Sequence, residues 1–430
     1  MTTIEDTAVT NPPLPRAGLS VAIIGAGPAG LALALQAAQA LPQARITVFD
    51  ARAADKDVSG DPRTLALSLG SVQELERMGV WPAIQACQQV APIRAVHVSQ
   101  QQPTVLWPGR DQPAVTISAA EQGVPQLGAV VSYGTLVAPM QAAWAQATGR
   151  EPHRLLMRFG TPVKGLKPVP GGVEVDAEIA ESFDLAVVAE GGVFADQPSL
   201  QWPQGVSRDY VQTAWVGQVL LNEDSEAGVA YERFTPSGPA ALLPLTDGAV
   251  VPGGPSGRRA ALVWCVQRDD DPVRDLTDAQ RLVVLNTIFH ERVGTIHQVS
   301  ALKAFPLGLN AHRTLVNDGA VVRIGNAAQT LHPVAGQGLN LGLRDVHELL
   351  SAIKGASVAG NVDVAAALRH FQRRRQPDRW ALIAGTDFLA RSFTWPAPIL
   401  ATARGMGLGA MQLLGPLKHR LARTMMFGLR

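Results

Sequence analysis

The chain has 430 residues, and its 37 basic and 36 acidic side chains leave a formal net charge of +1, a balance that excludes a surface built to hold nucleic acid or another polyanion. Hydrophobic residues make up 47% and charged residues 17%, against a usual charged share of ~25%, so two or three domains can be buried with charge to spare for little else. Only Cys87 and Cys265 occur, which excludes a disulfide framework and a cysteine-rich metal site and suits two buried thiols in a reducing, cytoplasmic setting.

Residues 1–18 contain Pro12, Pro13 and Pro15 and neither a basic start nor an apolar run, so they read as a disordered leader rather than a signal peptide. No stretch of about 18 apolar residues occurs, which argues against a membrane-spanning helix. Leu19 to Ile24 is a continuous apolar run closed by Gly25, and Leu31 to Leu41 is rich in alanine and leucine: strand, tight turn, helix. Ile46 to Phe49 is a second strand ending at Asp50, which completes a βαβ unit. Val131 to Thr148 has a helical pattern. Leu155 to Val175 alternates and turns at Pro170, Gly171 and Gly172, and Phe183 to Ala189 reads as another buried strand.

From Gln201 to Gln298, short apolar runs separated by Gly, Pro and Asp predict an antiparallel sheet. A strand resumes at Ala320 to Ile324, followed by a glycine-rich turn and a helix through Lys354. The pattern predicts an α/β fold with a doubly wound nucleotide-binding domain assembled from 19–92, 127–200 and 312–400. An antiparallel sheet, 93–126 and 201–311, is inserted into it, and 401–430 form a C-terminal helix.

Gly25-Ala26-Gly27-Pro28-Ala29-Gly30 fits G-x-G-x-x-G, in which successive glycines serve the tight turn, the approach of backbone to a pyrophosphate and the packing of helix on strand. The helix N-terminus supplies unpaired N–H groups and a positive dipole end. Asp50 lies 20 residues after Gly30, where a carboxylate can accept from ribose hydroxyls and disfavours a 2′-phosphate. FAD or NAD therefore suits the site better than NADP.

A second segment runs Arg323-Ile324-Gly325-Asn326 and on through His332-Pro333 to Gly336-Gln337-Gly338-Leu339-Asn340. With the Asp61-to-Ser68 and Phe371-to-Arg379 segments, it closely resembles the flavoprotein aromatic hydroxylases (FAD-dependent monooxygenases), and within them the ubiquinone-biosynthesis hydroxylase family. The resemblance implies the p-hydroxybenzoate-hydroxylase-like fold and one bound FAD. It further implies NAD(P)H and O2 as co-substrates, and hydroxylation of an apolar aromatic ring, a polyprenylated phenol or quinol. Gly25, Gly27, Gly30 and Asp50 would hold the ADP half. Arg63, Gly325 and Asn326 would meet the pyrophosphate and ribityl chain, with Gly336, Gly338, Leu339 and Asn340 along the ring, and His332, Pro333 and Gln337 beside the reacting centre. Such a substrate suits an enzyme that is peripheral at the membrane or held in a ubiquinone-biosynthesis complex.

This chain departs from the family pattern where Asn326 replaces an aspartate, Glu190 replaces another, and Gln329 stands where a histidine is common. A neutral hydrogen bond in place of a charge-assisted one loses about 1–1.5 kcal/mol, roughly tenfold in affinity. The alternatives are another FAD oxidoreductase of the same fold and a flavin-weak scaffold subunit. Arg373, Arg374, Arg375 and Arg379 read by default as a solvated helical face. Met406, Ala410, Leu413, Leu417, Leu421 and Met425 recur at helical spacing, as a face packed on the flavin domain or lying on a membrane. No metal-ligand spacing is present.

Overall fold

The computed structural model describes residues 18–102, 104, 113–190, 205–289, 291–358, 361–392 and 398–429. The expected leader therefore lies outside the described residues, apart from Gly18, as does the segment 191–204 that contains the expected boundary at residue 200.

A six-stranded sheet runs Val316–Asn317, Val321–Arg323, Leu185–Val188, Ser20–Ile24, Arg45–Asp50, Leu155–Phe159, parallel except for the first strand at the edge. Its centre is the apolar run Ser20–Ile24, wholly buried, as expected of a parallel strand covered on both faces. Alternate residues divide between two cores. Val21, Ile23, Ile46 and Val48 face the helices Pro28–Ala40, Tyr133–Arg150 and Gly338–Gly355. Ala22, Ile24 and Phe49 face a three-stranded antiparallel sheet, Gly165–Val169, Gly172–Asp176 and Ala180–Phe183, whose first turn uses Gly171 at φ +78°. The second face of the parallel sheet is thus covered by this small antiparallel sheet. The helix Pro28–Ala40 starts with proline in its first turn and is built from alanine, leucine and glutamine, strong helix formers. It buries Leu31, Leu33 and Leu35, at about 1.5–3 kcal/mol each.

A nine-stranded sheet forms the second body. Its order is Gln329–Thr330, Lys303–Ala311, Val206–Leu221, Arg258–Gln267, Gly238–Pro244, Val229–Thr235, Ala95–Gln100, Val115–Ser118, with Ile296–Val299 also on Val206–Leu221. Pairing is antiparallel except between Val229–Thr235 and Ala95–Gln100. One face packs on the helix Asp278–Ile288 through Leu262, Trp264, Leu285 and Ile288. The other face turns toward Val334 and Leu389, which pack against Val98 and Phe234.

Two expectations change. The C-terminal segment is two helices, Pro398–Leu413 and Gly415–Phe427, because Pro416 begins a new helix after a break at Leu414. Cys265 is buried but Cys87 is exposed at the end of a short helix.

Candidate active site

The two glycine segments, some 300 residues apart in sequence, meet. A Cβ placed on Gly325 would touch the Ala29 side chain at 3.2 Å, and one on Gly342 would lie 3.0 Å from the Gly325 Cα. Gly25, at φ +102°, donates to the Phe49 carbonyl at 2.8 Å, and its missing side chain leaves room for Glu190, whose Cβ would stand 2.5 Å away. Gly30 packs flat on that turn: a Cβ there would lie 1.9 Å from the Gly25 oxygen.

Gly27 differs from both. Nothing but the Tyr133 hydroxyl, at 3.9 Å, approaches its would-be Cβ, and around Gly338 nothing lies within 4 Å. These open glycines stand at the N-termini of two long helices, Pro28–Ala40 and Gly338–Gly355. The side chains of Ser68, Ser132 and Thr277 cap their own helices, whereas Gly27 and Gln337 supply no side-chain cap. Uncapped N–H groups fronted by open space suit phosphate at one end and an anionic ring edge at the other. The residues present fit FAD.

Asp50 is buried, and its carboxylate is already occupied. It accepts from the Ala26 N–H at 2.7 Å, from the Arg52 N–H at 2.8 Å and from the Arg52 guanidinium at 2.9 Å. Burial pushes this carboxyl up, but the Arg52 and Ala26 hydrogen bonds outweigh it and hold the group below the usual carboxylate range. Asp50 thus locks the fingerprint turn, and Arg52, which the sequence reading missed, joins it through a further bond to the Ala26 carbonyl at 2.9 Å. The D-x-R spacing was the available signal. Glu190 is pushed up by desolvation and by the charge of Asp50. Arg63 is exposed, pairs with Asp61 at 2.8 Å and stacks on the Tyr133 ring at 4.0 Å, which brings it to the Gly27 side of the site.

Asn326 is exposed beside buried Gly325. The Gly325 N–H donates to Asp345 at 3.0 Å, Asp345 is bound at 2.7 Å by Arg375, and Arg375 pairs with Asp378 at 2.6 Å. Arg379 donates to the carbonyls of His312 at 2.6 Å and Ala328 at 3.1 Å. Arg375 and Arg379 are therefore interior groups that hold the Gly325 turn, a correction to the solvated-face reading; Arg373 and Arg374 are exposed as that reading has them. Because the Asn326 amide stands free of this network, Asn326→Asp is expected to raise FAD affinity about tenfold in a titration of the apoprotein, by restoring a charge-assisted acceptor.

The ring-side residues divide. Gly336, at φ +57°, abuts Ala66, and Leu339 packs on the main core. The Asn340 side chain is spent on the protein: it accepts from Ser68 N–H at 2.8 Å and Ser71 Oγ at 2.7 Å, and donates to the Ala66 and Gly336 carbonyls at 3.0 Å each. What Asn340 offers a ligand is its backbone in the first helical turn. Pro333 starts the short turn Val334–Gly336, and Gln337 is buried at the head of the following helix.

His332 is buried, its Nε2 meets Gln212 Oε1 at 3.0 Å and its Nδ1 accepts the Val334 N–H at 3.2 Å. Burial pushes its pKa down to about 4, although Asp387 pulls the other way. A neutral imidazole with both nitrogens engaged acts as a strut between the two segments. Gln212 reaches it because Val206–Leu221 carries a bulge between Asp209 and Gln212, where Val211 sits at φ +54°. A histidine whose native pKa lies below its unfolded one stabilises the fold fully above the unfolded value, about 6.5, and loses that contribution as pH falls toward 4. The melting temperature should therefore drop across that interval, and less so in His332→Gln.

One row across the inner face of the large sheet is mostly small and apolar. Val98, Glu232, Ala241, Val263 and Val216 are cross-strand partners in one row on the same face as Phe234. Beyond Val216 the row continues to Lys303, so its charged side chains are Glu232 and Lys303.

The FAD binding domain family model matches residues 202–386. Over 425 residues, 93% of this chain and 96% of the other, the sequence is 30% identical to 3-demethoxyubiquinol 3-hydroxylase of Escherichia coli K12. The chain belongs to the ubiquinone-hydroxylase family of flavoprotein monooxygenases. Human mitochondrial ubiquinone biosynthesis monooxygenase COQ6 is 31% identical over 253 residues, about half of each chain (51% and 52%). HpxO of Klebsiella pneumoniae, crystallised with FAD and uric acid, shares the fold at TM-score 0.69 and 17% identity over 94% of this chain and 97% of that one. The family is FAD-dependent, so FAD is the cofactor and the chain is a monooxygenase.

Proposed function

We propose that the enzyme hydroxylates the ring of a polyprenylated phenol or quinol on the route to ubiquinone, using NAD(P)H and O2, while working at a membrane surface. The observation that carries this reading is the apolar row on the inner face of the large sheet, set opposite the segment His332–Gly338, in a chain alignable end to end with a demethoxyubiquinol hydroxylase.

When bound, FAD takes electrons from NAD(P)H and activates O2, so that one oxygen atom goes to the ring and the other leaves as water. Gly25, Gly27 and Gly30 seat the ADP half on a helix N-terminus, with Asp50 and Arg52 fixing the turn. Arg63 and Asn326 meet the pyrophosphate and ribityl chain. The N–H groups from Gly336 to Asn340 stabilise negative charge at the ring edge. Val98, Phe234 and Val334 exclude water from the reacting face, and Pro333 and Gln337 shape it. Glu232, on the same row, would accept the hydroxyl of a phenolic ring.

Two measurements test the reading. Deleting the gene should make quinone precursors lacking one oxygen accumulate, detectable by mass analysis, and the purified enzyme should consume NAD(P)H faster with a prenylated phenol while releasing hydroxylated product. Unchanged quinones in the deletion strain would remove the substrate assignment and leave the cofactor untouched.

A further inference from the structure

Of the fourteen large hydrophobic side chains exposed among the described residues, eight fall within 399–429, although these residues are a small part of the chain. Ile399, Met406 and Leu413 follow one another at seven-residue intervals along one face of the helix Pro398–Leu413, and Leu414, Leu417 and Leu421 continue the stripe onto Gly415–Phe427. Ile399 is 78% exposed and Leu413 85% exposed. The opposite side of the pair is anchored. Ala422 and Met426 enter a core with Leu69 and Ile93, Lys418 pairs with Glu121 at 3.0 Å, and Gln412 accepts the Thr116 N–H at 2.9 Å. Helical spacing alone makes packing on protein the ordinary reading of this stripe; the structure turns Met406, Ala410, Leu413, Leu417 and Leu421 outward.

Charge says what covers the stripe. Residues 398–430 contain no aspartate or glutamate, and Arg420 and Arg423 are exposed beside Leu417 and Leu421. An apolar face flanked by arginines and free of acids complements an anionic lipid headgroup layer over hydrocarbon. Neither helix is long or apolar enough to cross a membrane, so the pair lies on the surface. It packs against Ala95–Gln100 and Val115–Ser118, at the edge of the sheet whose inner face carries the apolar row.

We infer that the helical pair Pro398–Leu413 and Gly415–Phe427 is the docking surface for an anionic bilayer, delivering the rim of the substrate sheet to a ligand dissolved in lipid. The inference rests on the proposed substrate for its purpose, but the docking itself needs only the surface.

The test is therefore run without quinone: co-sedimentation of the full-length flavoprotein with vesicles of phosphatidylcholine alone or with one third phosphatidylglycerol. Binding should be at least tenfold tighter to the anionic vesicles and should weaken in high salt. The pair Leu413→Glu/Leu417→Glu should lose at least tenfold in affinity while keeping flavin content and melting temperature. If that variant loses its flavin, Arg420→Gln/Arg423→Gln, at two exposed positions, should still weaken binding to anionic vesicles several-fold. Equal binding by wild type and variants, or no wild-type binding, overturns the inference. So does a wild-type dimer in light scattering that ignores vesicles and is dissolved by the same substitutions, which would assign the stripe to a second copy. Vesicle binding that persists when prenylated phenols prove not to be substrates leaves docking intact and removes only the substrate.

Discussion

Gly27→Ala is expected to give a folded protein that has lost most of its grip on FAD, whereas Gly30→Ala is expected to damage the fold itself. Gly27 has φ −76°, which any residue adopts, and a methyl group there meets no atom closer than 3.9 Å. The polypeptide alone has no reason to object. Yet the same methyl group stands at the mouth of an uncapped helix, where a pyrophosphate must come close to backbone N–H groups. Holding phosphate off those donors should weaken FAD about 100-fold, ~2.7 kcal/mol, read from quenching of flavin fluorescence as FAD is titrated into apoprotein. At Gly30 the methyl would lie 1.9 Å from the Gly25 oxygen and 3.3 Å from Ala189, so helix and strand must part. Overpacking of this kind costs about 1–3 kcal/mol or more, and the apoprotein melting temperature should fall by several degrees. A Gly27→Ala protein with unchanged FAD affinity would show that the pyrophosphate lies elsewhere.

Why one of these glycines could be assigned from sequence and others not is a matter of what backbone and side chain each demand. Gly25, Gly27 and Gly30 sit between a wholly apolar run and an alanine-rich helix, so local order alone placed them at a strand-to-helix turn. The antiparallel sheet was legible in the same way, from short apolar runs between turn residues. Asn340 was legible as part of a motif, but its side chain is held by Ser68 and Ser71 from the other end of the chain, and nothing near residue 340 announces those partners. Arg375 and Arg379 looked like surface charges because buried arginines are rare unless paired. Their partners, Asp345 and the carbonyls of His312 and Ala328, arrive only when two helices and a turn pack together. The surroundings of His332 were hidden for a related reason: its neutrality depends on burial and on Gln212, which reaches it through a bulge in a distant strand. Periodicity made the C-terminal helical pattern visible, yet it could not say which side meets protein.

Arg375→Met should be among the most destabilising single substitutions outside the glycines, because it removes the cation shared by two buried carboxylates. Arg375 binds Asp345 at 2.7 Å and Asp378 at 2.6 Å, with all three side chains at most 6% exposed. Burial pushes the Asp378 carboxyl up; Arg375, the Leu429 N–H and Arg344 more than offset this and hold it below the usual range. Leaving such charges unpaired costs about 3–5 kcal/mol, roughly 3–6 °C in melting temperature for a chain of this size. A carboxylate with a depressed native pKa contributes its stability above the unfolded value, about 3.9, and gives it up as pH falls through the native one. Without Arg375, acid unfolding should therefore begin at higher pH than in the wild type. The loss should also reach both ends of the molecule. Asp345 accepts the N–H of the Gly325 turn, while Asp378 accepts the Leu429 N–H and pairs with Arg344, which binds the Met425 carbonyl at 2.9 Å. Weaker FAD retention and earlier proteolysis of the C-terminal helices should appear together, and Asp345→Asn in the same chain should recover part of the stability by removing one stranded charge. If Arg375→Met melts within about 1 °C of the wild type (about 1 kcal/mol or less), the network does not couple the Gly325 turn to the C-terminal pair.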